Sequence, residues 1–222
     1  MMMNLFSVFD PSTSNLMSLN WLSMMMFLLM MPMIYWVVPS RLYMLWTLIT
    51  SFIFKEFKTL ISYSFSNVIM FYSVFSYILI NNFMGLFPYV FTASSHMSFS
   101  VSISISMWLG IMIYSLTNFF NETMSHLTPM GTPSVLMPFM VVIESISLII
   151  RPLTLAVRLS ANMIAGHLLL SLLGSTGQQI SFIITLMIMI MSQVLLFVLE
   201  ISVSIIQAYV FSILSVLYSS EC

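Results

Sequence analysis

The C-terminal part of the chain carries a small set of side chains whose types suit the handling of protons: Glu144, Arg158, Asn162, His167, Glu200 and Gln207, with Arg151 beside them. Glutamate and histidine gain and lose a proton readily, whereas an arginine, with a pKa above about 12, stays charged. An arginine is therefore a poor relay and a good barrier. It attracts a carboxylate and blocks direct passage of a proton, while acidic and imidazole groups on either side pass protons in and out. No nucleophile with a paired base stands near these residues, and the many serines form no recognisable elbow, so bond-making catalysis is not indicated.

Spacing groups these side chains further. At 100° per residue, Glu144, Arg151, Arg158 and Asn162 fall at about 0, −20, −40 and 0° on one helix face. Gln193, Glu200, Ser204 and Gln207 fall within about 60° of one another on the next helix. His167 lies about 140° from Glu144. Two consecutive helices thus each carry a polar line. Ionisable residues at the centre of a membrane helix cost about 2.5 to 3.5 kcal/mol each, and they persist where they face a wet cavity or a partner. The plain alternative is that Glu144, Arg151 and Glu200 pair simply to hold helices together, with Asn162 as an inter-helix hydrogen-bonder. Arg151 and Arg158 are seven residues apart with no acid between them, so an acid for Arg158 is expected from another polypeptide.

The elements that position these groups belong in lipid. Of 222 residues 60% are hydrophobic and 5% charged, against about 25% charged in an ordinary soluble domain. The net charge of −1 and the absence of a basic patch leave nothing to bind nucleic acid. One cysteine, Cys222, allows no internal disulfide or cysteine metal site, and His96, His126 and His167 are too scattered for a zinc pattern. No cofactor is implied. The N-terminal residues lack both a basic n-region and an Arg/Ser-rich presequence, so no secretory or import signal is expected. Asn121-Glu122-Thr123 matches a glycosylation sequon only at chance level, and the GTP string Gly131 to Pro133 lacks the spacing of a phosphate loop.

A bilayer crossing needs about 20 apolar residues. The sequence predicts an all-α membrane protein of about five membrane-embedded helices and a surface helix, forming a single integral membrane domain. Its parts are an N-terminal tail over 1–20, a span over 21–38, a surface segment over 41–66 holding Arg41, Lys55, Glu56 and Lys58, and spans over 67–91 and 101–120. A loop over 121–133 follows, broken by Pro129, Gly131 and Pro133. The segments 135–173 and 178–219 are far longer than a core of about 30 Å requires. They are predicted to form a strongly tilted hairpin, at about 55 to 60° against a usual range of about 0 to 40°. Gly174-Ser175-Thr176-Gly177 is expected to make the turn, and Pro152 to kink the first arm. Splitting that arm at Pro152 would leave a piece of about 24 Å, too short to span.

Three of the five basic residues lie in the connection after the first span, which predicts that connection on the negative side, the N-terminus on the positive side and the C-terminus on the negative side. Glu144 then lies toward the negative side, His167 toward the positive side and Glu200 near mid-helix. That is the arrangement of two half-channels with a fixed cation between them. A secondary transporter would show inverted repeats and intramembrane lysines, which are absent from the sequence, and a voltage sensor would carry more closely spaced arginines.

The strings TPMGTPSVLMPFMVVIESISLIIRPLTLAVRLSANMIAGHLL (Thr128 to Leu169) and EISVSIIQAYVF (Glu200 to Phe211), and more weakly NNFMGLFPY (Asn81 to Tyr89), resemble the a subunit of F-type ATP synthases in its mitochondrially encoded form. The resemblance implies a stator subunit of the mitochondrial inner membrane, packed beside a rotating ring of proteolipid c subunits, with peripheral-stalk and other subunits as further partners. It implies that Arg158 faces the ring carboxylate, that His167 and Glu200 belong to the half-channel open to the intermembrane space, and that Glu144 lies in the matrix half-channel. Asn162 and Gln207 match positions lining the contact between stator and rotor, and Arg151 is expected to be structural. The N-terminus would face the intermembrane space and the C-terminus the matrix.

Overall fold

A computed structural model of the chain describes residues 5–14, 17–32, 37–61, 65–128, 133, 135–177 and 182–221. Among them the order is a 3-10 helix Leu5–Phe9, a 3-10 helix Leu19–Met25 running into α1 (Met26–Met30), α2 (Arg41–Leu60), α3 (Phe65–Gly85), a 3-10 turn Ala93–Ser95, α4 (Met97–Asn118), α5 (Phe120–His126), α6 (Met137–Gly177) and α7 (Ile183–Glu221). No strand occurs among the described residues. Among the described residues four segments are long and apolar enough to cross a membrane: Asn67–Gly85, Met97–Asn118, Met137–Gly177 and Ile183–Ser220. At 1.5 Å per residue α6, of 41 residues, is about 61 Å long. Helix α7, of 39 residues, is about 58 Å long, so both exceed the bilayer core as expected.

Helix α3 sits at the centre. Its Val68, Phe71, Phe75 and Ile78 meet Ile53 and Phe57 of α2, Leu155 and Leu159 of α6, and Ala208, Phe211 and Val216 of α7 in one buried cluster. The buried positions of α7 include Ser204, Ala208, Phe211, Ser215 and Ser219, a helical-period stripe mixing small and aromatic residues. The serines on such faces find acceptors within their own helix. The hydroxyls of Ser76, Ser204, Ser212, Ser215 and Ser219 each donate to the carbonyl three residues back, at 2.6 to 3.0 Å. This lets a serine-rich helix be buried without orphaned donors.

Several boundaries differ from the sequence reading. The helical stretch Leu19–Met30 is shorter than the span expected over 21–38, and residues 33–36 of that span lie outside those described. Pro32 accounts for the end of α1: a residue before proline is pushed out of helical geometry, and Met31 is extended at φ −67°, ψ 120°. Helix α2 fills most of the surface segment and is amphipathic, with Ile53 and Phe57 buried, Ser40 capping its N-terminus by accepting from the Tyr43 N–H, and Lys58 in its last turn. The loop expected over 121–133 begins as a helix, α5.

The turn expected at Gly174 to Gly177 is helical. Ser175 and Thr176 donate to the carbonyls of Leu172 and Leu173, at 2.8 and 2.9 Å, and so stay within the helix. Residues 178–181, which follow, lie outside the described residues. Helix α6 continues through Pro152 without a break.

Candidate functional site

The polar line on α6 is divided into separate local environments. Near the start of the helix, Arg151 Nη2 lies 3.7 Å from Glu144 Oε1, an ion pair two turns apart along the same helix. The same guanidinium lies 5.1 Å from the ring centroid of Tyr218 on α7, a cation–π contact. Both arginine contacts open onto a cavity of about 490 Å³ between α4, α5, α6 and α7, whose lining includes Trp108, His126, Glu144, Arg151 and Tyr218. The acid for Arg151 thus comes from its own chain.

Further along, Arg158 is exposed, with no ion pair or hydrogen bond from its side chain among the described residues. Around it Ala161, Asn162 and Ala165 are exposed as well, so a face of small residues surrounds the guanidinium. Small residues at such a face allow another helix to approach closely. Asn162 Nδ2 donates to Gln207 Oε1 on α7 at 3.1 Å. Gln207 is itself buried, and its Oε1 is held by the exposed Asn162.

Past Arg158 comes the second acid. Glu200 is 7% exposed, and neither of its carboxylate oxygens has a hydrogen-bond partner among the described residues. His167 is half-buried, and its Nε2 is likewise buried and unpaired among them. Both residues line a cavity of about 250 Å³ together with Leu86, Asn162, Gly166 and Val203. The glycine at 166 leaves the room in which the carboxylate sits in this position. A Cβ at Gly166 would collide with Glu200 Oε1 and stand 2.9 Å from its carboxyl carbon.

The structure therefore brings His167, Glu200 and Asn162 around one cavity, ties Asn162 to Gln207, and pairs Glu144 with Arg151. It leaves Arg158 apart from both acids. Along α6, Arg158 lies about 21 Å from Glu144 and about 14 Å from His167 at 1.5 Å per residue. Sequence reasoning missed Gly166 and Tyr218. The Ala-Gly pair inside an apolar helix was the available signal for the first, since an interior helical glycine costs about 1 kcal/mol against alanine and calls for a packing reason. Among the described residues no group of three His, Cys, Asp or Glu is arranged to hold a metal ion.

Comparison with known proteins identifies the family. The family described as ATP synthase A chain matches residues 16–220. The chain is 56% identical to ATP synthase subunit a of Drosophila melanogaster, over 100% of this chain and 99% of that protein. It is 54% identical to the subunits a of Anopheles gambiae and Locusta migratoria, with the same coverage. A match of this extent, on a helical membrane chain with an exposed arginine between two acidic cavities, means that the chain belongs to the subunit a family of F-type ATP synthases.

Proposed function

We propose that this chain carries protons through two offset half-channels in the membrane sector of ATP synthase, and that Arg158 forces them to travel by way of a ring of c subunits. A proton enters along the His167 and Glu200 cavity and neutralises a ring carboxylate, which then turns into lipid. After nearly a full rotation the carboxyl meets the Glu144 cavity and releases its proton. The electrical part of the drive is about 2.3 kcal/mol per charge per 100 mV. The observation that carries this reading is Arg158 itself: an exposed guanidinium on an apolar helix, flanked by small residues, with no acid of its own chain against it among the described residues. A charge so placed calls for an acidic partner outside the chain.

Internal proximities support the proposed sidedness, with the N-terminus toward the intermembrane space of the mitochondrial inner membrane and the C-terminus toward the matrix. Tyr209 of α7 donates to Glu56 of the basic surface helix α2 at 3.0 Å, so the C-terminal half of α7 shares a side with the positive charges. At the other end, the loop bearing Thr92 approaches Gly85 and, through it, Met163 in the second half of α6. Trp21 stacks near Phe91 and His96 of the same loop, at 5.8 and 5.1 Å, which ties the N-terminal segment to that side.

Arg158→Ala tests the reading in the assembled enzyme. Coupled ATP synthesis is expected to be lost, and Arg158→Lys to restore little of it, because a compact ammonium does not reproduce the planar guanidinium. Robust coupled synthesis in either variant would count against the barrier.

A further inference from the structure

We propose that His126 passes protons between the Glu144 cavity and the solution at the mouth of that cavity. The inference rests on the half-channel reading above and adds a residue that lies outside the polar lines of α6 and α7. Helix α5, which occupies what reads in sequence as a loop, forms one rim of the cavity: Thr123 and His126 line the same space as Glu144, Arg151 and Tyr218. His126 is exposed and Glu144 half-buried, and both line this one space. Its volume of about 490 Å³ is ample for a file of water, at about 30 Å³ per molecule in the liquid.

The charged and titratable groups facing this space are few. Helix α6 contributes Glu144 and Arg151, α7 contributes Tyr218, α5 contributes His126, and α4 contributes only Trp108, Ser115 and apolar side chains. Glu122, the other titratable group near the start of α5, lines a neighbouring cavity instead. Arg151 holds its charge and repels a free hydronium ion, so a proton leaving Glu144 travels better onto a neutral base than as a bare cation. Imidazole is the side chain whose ordinary titration lies near neutral pH. The exchange balances: the Glu144 carboxylic acid gives its proton through water to the neutral ring of His126, the imidazolium gives a proton to a base in solution, and both residues return to their starting forms.

Buffer rescue in inside-out inner-membrane vesicles holding the complete complex tests this, because the proposed mouth then faces the added buffer. His126→Phe is expected to slow coupled proton transfer several-fold in weakly buffered medium. Millimolar imidazole is expected to restore most of the rate, while leaving the unaltered enzyme little changed. An equal rate in variant and parent at every buffer concentration would overturn the assignment, and so would a loss that imidazole does not relieve. If His126→Phe fails to assemble, His126→Gln gives the same test with a polar side chain that cannot cycle a proton. Glu144→Gln in the same vesicles separates the two levels of the inference. If it keeps the parental rate, the half-channel reading fails. If it is slow and unrescued while His126→Phe behaves as the parent, only the role of His126 fails.

Discussion

The two cavities flanking Arg158 treat their acids in opposite ways. Glu200 is buried in a space of about 250 Å³, unpaired among the described residues and seated against a glycine. Glu144 stands in a space of about 490 Å³, partly exposed, with an arginine of its own helix 3.7 Å away. A buried carboxyl without a counter-charge depends on its immediate surroundings. A half-exposed ion pair is held weakly, and water can take over what either partner loses. One cavity is therefore narrow and intolerant of change, the other roomy and forgiving.

Substitutions should separate the two. The largest difference is expected between Glu200→Gln and Glu144→Gln: the first should all but stop coupled synthesis, and the second should slow it while leaving measurable ATP-driven proton pumping. Equal losses would remove the distinction. Next comes Gly166→Ala, which sets a methyl group against the Glu200 carboxylate and should markedly reduce coupled synthesis in a complex that still assembles. Gly174→Ala is its control, since a Cβ there meets nothing within 4 Å and the rate should be unchanged. The smallest effect is expected from Arg151→Gln. Its ion pair is 29% and 36% exposed on the two sides, and pairs of that kind contribute about 0 to 1 kcal/mol. Thermal stability of the detergent-solubilised complex should fall by a few degrees at most, with activity retained.

The polar stripe, the long hairpin arms and the membrane class were legible because hydrophobic length and helical period are local properties. The pairing of Glu144 with Arg151 stood in the sequence only as the plain alternative to a proton path. A separation of two turns looks too long on an ideal helix, yet two extended side chains reach across it. Serine and threonine misled the reading of Gly174 to Gly177, because their hydroxyls can close onto the preceding helical turn as readily as they can end it. Pro32 was the opposite case: its effect on Met31 is a local rule that the apolar run 21–38 concealed. The fit of Glu200 against Gly166 joins two helices, and no single-helix pattern contains it.

The length of α6 has a further geometrical consequence. Were the whole of α6, about 61 Å, held within a core of about 30 Å, it would lean by about 60°. Distance along its axis then becomes mostly displacement in the plane of the membrane. Glu144 and His167, about 35 Å apart along α6, would differ by only about 17 Å in depth but by about 30 Å sideways. On the half-channel proposal, two openings separated in that direction would lie side by side along the path of any neighbouring body that turns about the membrane normal, and a voltage applied vertically would reach that body as a push around its circumference.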